Sequence, residues 1–225
     1  MGTGSWFCRA LLLCAFAVGA AACATVHNPL TQQDLAALRI VDVAITFKPD
    51  ALITWSAAEQ EYVAEASARN PKLRLKAKAS DHPLETGGVP DPEAAERYKL
   101  IASPQGREYV RNRTAGLIDA HLKRRVVPEF KGNREARLEV AVLAFTVPDA
   151  VQRATLGGTP MLAAVTILKD ARTGAELAKL DQGASTYAGQ GIVGALVDQA
   201  IAAPLEERIV DAYITNVRYW LLKTN

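Results

Sequence analysis

The chain has 225 residues, 49% of them hydrophobic, with 26 basic and 24 acidic side chains and three cysteines. This near-neutral balance excludes a general nucleic-acid binder. Because Cys8, Cys14 and Cys23 all precede residue 24, the remaining chain of about 200 residues has to rest on a packed core without disulfides, and its length allows that.

Residues 1–9 carry one basic side chain, Arg9, and no acid, and an apolar run from Ala10 ends in small residues. That is the pattern of a secretory signal peptide. Residues 10–22 are too few to span a membrane, which takes about 20 apolar residues. The sequence Gly19-Ala20-Ala21-Ala22-Cys23 resembles the lipobox of bacterial lipoproteins, whose cysteine is acylated and becomes the first mature residue. The resemblance implies a signal peptide over residues 1–22 and a lipid attached at Cys23. Ala24, rather than Asp, follows the cysteine, which favours the outer membrane of a Gram-negative cell, facing the periplasm. Ala20-x-Ala22 also suits ordinary signal peptidase, which would leave a soluble chain with a free thiol. Loss of residues 1–22 removes one of the 26 basic groups, leaving 25 against 24 acidic.

Residues 23–31 read as the acylated cysteine and a short tether containing Pro29, and residues 32–225 as a single periplasmic domain. Residues 39–48 alternate, with Val41, Val43, Ile45 and Phe47 on one face and Asp42, Thr46 and Lys48 on the other, which predicts a half-buried strand ended by Pro49 and Asp50. Ser56-x-x-Glu59 is a capping box and predicts a helix over 57–69, stopped by Asn70-Pro71. Lys72, Arg74, Lys76 and Lys78 alternate with small apolar residues, as on a strand with one basic face. Residues 81–91 form a Pro/Gly loop. Asp91-Pro92-Glu93 and Ser103-Pro104 each start a helix, with Pro at its first position. The second helix is expected to reach about Val127, burying Val110, Thr114, Leu117, Ile118, His121 and Leu122 and ending in Lys123, Arg124 and Arg125, where cations suit the helix dipole.

From Glu135 the pattern becomes β. Residues 138–147 are apolar nearly throughout, as in a central strand covered on both faces, and residues 161–169 form a second such strand. The turn Asp170-Ala171-Arg172-Thr173-Gly174 leads into a third, over 175–181, as a hairpin. Small residues over 183–194 lead to a fresh helix start at Pro204, with a break near Ala203. Beyond it Ile209, Val210, Tyr213, Ile214, Val217, Trp220 and Leu221 form one apolar stripe. The fold class expected is α+β: a mainly antiparallel sheet with helices packed on it, a central meander and a closing amphipathic helix.

The lipobox-like cysteine, the strands "LRIVDV" and "ARLEVAVLAF", the hairpin "VTILKDARTGAEL" and the closing helix together resemble uncharacterised alphaproteobacterial envelope lipoproteins. Periplasmic domains of curli-secretion and Tol-system proteins have similar mixed folds and work through protein contacts. The resemblance implies a protein-binding role and carries over no functional residue.

"YAGQGIVGAL" contains Gly189-x-Gly191-x-x-Gly194, a dinucleotide-binding spacing, but such a site needs a further parallel strand after the next helix. None remains in the chain, so these glycines are expected to serve as a strand-to-helix crossover without a nucleotide. His27, His82 and His121 share no metal-binding spacing, and His121 is expected in the core. There is no G-x-S-x-G turn. No catalytic residue, metal or cofactor is expected. The basic groups Lys72, Arg74, Lys76, Lys78, Arg124 and Arg125 are the candidates for contact with an anionic surface, either lipid head groups or an acidic partner. The expected role is a non-enzymatic, lipid-anchored interaction or assembly module with an envelope protein partner. A carrier of an apolar or lipid ligand, with its cavity beneath the closing helix, is the alternative, and an unrecognised hydrolase comes third.

Overall fold

The computed structural model describes residues 26–70, 73, 92–155, 158–186 and 203–222. In chain order these form β1 (Val26–His27), α1 (Gln32–Ala37), β2 (Leu38–Trp55), α2 (Ser56–Arg69), α3 (Pro92–Ile101) and α4 (Pro104–Arg125). They are followed by β3 (Arg134–Val147), α5 (Ala150–Thr155), β4 (Met161–Asp170), β5 (Glu176–Thr186) and α6 (Leu205–Leu222). The strands make one open, mixed sheet in the order β1-β5-β4-β3-β2. Every neighbouring pair is antiparallel except β2 and β3, which run parallel. The fold is therefore α+β, with helices packed on a mixed sheet and a closing helix among them.

The helices begin where local chemistry favours it. Ser103 caps α4, its side chain accepting from the Gly106 amide, with Pro104 at the first position. At α2 the cap lies one residue earlier than Ser56 suggests. Glu59 still reaches back, but to the Trp55 amide at 3.3 Å, and the Ser56 hydroxyl turns to Gln152. The helix α1 has a full capping box between Thr31 and Asp34.

Strand β2 does not stop at Pro49. Its pairing shifts register between Phe47 and Leu52 and then continues to Trp55 opposite Val147. Proline is tolerated because, among the described residues, β2 is the last strand in the sheet, where a missing N–H costs little on the outer side. An earlier shift, between Ile40 and Asp42, turns Val41 outward to 48% exposure, off the buried face on which the alternation placed it.

One face of the sheet forms the core. Leu138, Val140 and Val142 of β3, Leu162, Ala164 and Leu168 of β4, and Leu180 of β5 pack with Val110, Ile118 and Leu122 of α4 and the stripe of α6. Trp55 meets Phe145 edge to face, ring centroids 5.7 Å apart. The buried hydroxyls of Thr166 and Tyr213 satisfy each other at 2.5 Å, and burial pushes the Tyr213 phenol far above its ordinary range, the bond to Thr166 offsetting part of this. The other face differs from the expectation of two covered faces. Along β3 buried residues alternate with half-buried or exposed ones, among them Arg137 and Glu139. This face carries ion pairs between strands, Arg137 with Asp42 at 2.8 Å and Lys169 with Glu139 at 2.7 Å. Ala141 and Leu143 made β3 look apolar throughout, whereas both are only half-buried.

The stretch expected as a tether joins the fold from Val26 onward. Val26 and His27 pair with Leu180 and Lys179 of β5, the Asn28 amide donates to the Trp220 carbonyl at 2.8 Å, and Leu30 is buried.

Candidate functional site

Two features of the described residues combine charge with a defined geometry. The first is an open groove of about 520 Å³ between β2 and α4. Ile45 and Phe47 form its sheet side, and Pro104, Arg107, Glu108, Arg111, Asn112 and Ala115 its helix side. Alternation along β2 turns Ile45 and Phe47 toward α4, and helical spacing sets Arg107, Arg111 and Ala115 on one flank of α4. The Arg111 guanidinium carbon lies 5.7 Å from the centre of the Phe47 ring, a cation–π contact. Among the described residues, neither Arg107 nor Arg111 is in an ion pair, whereas Arg113, two residues on, pairs with Glu61 at 3.0 Å and lies over Trp55. The groove thus has an apolar wall, two guanidiniums outside the described ion pairs, one of them over Phe47, and one carboxylate, Glu108.

The second feature joins α4 to α6. His121 is buried, and its two ring nitrogens each face a carboxylate, Nδ1 with Asp211 at 2.8 Å and Nε2 with Glu207 at 2.5 Å. The ring donates to both when each nitrogen carries a proton. Arg125 Nη1 donates to the same Asp211 oxygen at 2.7 Å, and Arg124 Nη2 lies 3.3 and 3.4 Å from the two ring nitrogens. Burial pushes the Asp211 carboxyl up, but the hydrogen bonds and charges of Arg125 and His121 together hold it below the ordinary carboxylate range. Glu207 and Asp211 are four residues apart, one helical turn, so a single histidine can bridge them. The cluster acts as a clasp between helices, in which both carboxylates already have donors.

Of the basic residues picked from sequence, Arg124 and Arg125 therefore stand at this clasp, engaged with His121 and Asp211. Lys72, Arg74, Lys76 and Lys78 lie outside the described residues, as do Cys23 and the glycine motif from Gly189 to Gly194. His121 is in the core as expected, but its carboxylate partners lie 86 and 90 residues away in sequence and no local pattern announced them. Arg107 and Arg111 were visible only as part of a basic helix; their standing opposite Ile45 and Phe47 depends on how α4 crosses β2.

Among the described residues no group of three or more His, Cys, Asp or Glu side chains is placed to hold a metal ion, and no helix is long and apolar enough to cross a membrane. Comparison with known protein families, with curated proteins and with solved structures finds no match.

Proposed function

We propose that the chain is a lipid-anchored periplasmic protein of the outer membrane, acylated at Cys23, whose domain acts as a non-enzymatic interaction or assembly module in the cell envelope. The observation that carries this reading is a contrast between two places in the fold. Beneath the closing helix, where a carried apolar ligand would need room, Ile209, Val210, Tyr213, Ile214, Val217, Trp220 and Leu221 are each 4% exposed or less and pack into the core. At the β2–α4 groove, by contrast, apolar surface and two arginines that have no ion-pair partner among the described residues stand open to the outside. Interaction surfaces combine these features: an apolar anchor, arginine, and a rim that water reaches.

The position of Val26 fits the anchor. It lies three residues beyond Cys23 and is already in the sheet, so an acylated Cys23 would hold the domain within about 11 Å of the membrane surface. Mass spectrometry of the mature protein and of a Cys23→Ala form tests the anchor, and an unmodified Cys23 would remove it. For the module, the test is chemical cross-linking in intact envelopes followed by affinity capture. A specific, stoichiometric protein partner is expected; recovery of none would overturn the reading.

A further inference from the structure

Strand β2 is the last in the sheet, and among the described residues its outer edge has no strand partner. Such edges are templates for an added strand, and proteins guard them with bulges, proline and lysine. In β2 the guards flank one window. A register shift precedes Asp42, and Lys48, Pro49 and a second shift follow Phe47. Between them, Asp42 to Phe47 pair without interruption with Arg137 to Val142, which leaves a regular run of outward main-chain groups. Ile45 and Phe47 of this window are the sheet wall of the groove, with Arg107 and Arg111 across from them.

We propose that this groove binds an extended, acidic segment of a partner polypeptide, which adds to the edge at residues 42–47 as a sixth strand and sets alternate carboxylates against Arg107 and Arg111. Main-chain bonds to an edge supply affinity in such complexes, and alternate side chains, which fall on one face, supply selectivity. A carboxylate suits this site because guanidinium offers paired donors to it. The single acid, Glu108, sits among two arginines and leaves the lining cationic. The proposal rests on the reading of the chain as an anchored interaction module, and the anchor explains which edge is presented. β1, next to Cys23, forms one edge of the sheet and β2 the other. Four strand spacings separate them, about 19 Å, so the β2 edge is the one turned away from the membrane-proximal end.

The test uses the full mature chain in detergent micelles and fluorescence anisotropy of a labelled synthetic peptide alternating glutamate and valine. Saturable binding is expected, weakened about tenfold or more in the double variant Arg107→Glu/Arg111→Glu, whose circular dichroism should match the wild type while its thermal midpoint falls slightly, because Arg107 is exposed and half-buried Arg111 loses only its contact with Phe47. A lysine–valine peptide should not bind. An N-methylated glutamate–valine peptide, which keeps its charges but cannot pair as a strand, should bind as weakly as the double variant. No saturable binding, or equal binding by the variant or by the N-methylated peptide, would overturn the proposal. Sedimentation showing that the chain dimerises through this edge, with the double variant monomeric, would also overturn it, in favour of a second copy as occupant. Envelope cross-linking separates the two levels of the argument. A partner captured equally by wild type and double variant refutes this groove and leaves the module standing, whereas capture of no partner refutes the module itself.

Discussion

Asp170 closes the β4–β5 hairpin almost alone. One carboxylate oxygen accepts from the amides of Arg172 and Thr173 and from the Thr173 hydroxyl, and the other accepts from Arg134. The Thr173 amide and hydroxyl, then Arg134, hold the carboxyl down at about 2 against an ordinary 3.8, burial working the other way. A carboxylate held low binds fewer protons in the folded chain than in the unfolded one. Its stabilisation is therefore complete above the ordinary carboxylate range and is lost as pH falls through about 2. Asp170→Asn should lower the urea midpoint at neutral pH and converge with the wild type at the acid end; coincident midpoints at neutral pH would refute this. His121 belongs to the same scale. His121→Ala removes the bridge between Glu207 and Asp211 and leaves two like charges one helical turn apart beside a void, so a loss of about 2 kcal/mol is expected. Because both carboxylates are partly exposed, the loss should stay below that of a fully buried pair. Equilibrium unfolding of His121→Ala beside Glu207→Gln/Asp211→Asn measures it, and an unchanged midpoint in His121→Ala would show that the clasp contributes nothing.

Glycines in α4 report how closely the elements pack. A Cβ at Gly106 would collide with the carbonyl oxygens of Leu100 and Ile101 at the end of α3, whereas one at Gly116 would meet nothing. Gly116→Ala should therefore stabilise the domain by about 0.5–1 kcal/mol through the lower chain entropy of alanine in a helix interior. Gly106→Ala should destabilise it by forcing α3 and α4 apart. Thermal unfolding decides the pair, and a shift of the same sign in both would contradict the packing. What was legible in the sequence follows the same division between local and distant. The starts of α3, α4 and α6 were legible because each depends on a cap or proline within a few residues, and so was the hairpin at Asp170 to Gly174, where Gly174 takes a positive φ of 73°. The course of β2 beyond Pro49 was not, since a proline reads as a stop unless the strand is known to lie at an edge. Nor was the parallel pairing of β2 with β3, two strands far apart in the chain, or the half-open second face of β3, where Ala and Leu alternate with core residues. The groove joins residues 45 and 47 to residues 104–115, and no local pattern records which flank of a helix crosses which strand.

At the scale of the whole molecule, the two ends of the described chain are bound to one another. β1 pairs with β5, Asn28 bonds the Trp220 carbonyl, Gln32 bonds the Leu222 carbonyl at 3.3 Å, and α1 touches α6. The residues just after Cys23 therefore do two things in this reading, tying down the closing helix and setting the sheet edge that lies next to the anchor. A chain starting at Ala24 keeps every one of these contacts. One starting at Thr31 keeps the α1 cap but loses the β1–β5 pairs, the Asn28 bond and buried Leu30, and should be less stable by about 2–3 kcal/mol, most of it from the leucine side chain. Urea unfolding of the two forms measures the difference, and equal midpoints would mean that residues 24–30 are a tether after all. The distinction matters for function because a loose tether would let the domain tumble at the membrane. In the proposed reading, a strand locked into the sheet instead fixes β1 toward the anchor and carries the β2 edge, with Arg107 and Arg111 beside it, outward to where a partner would reach it.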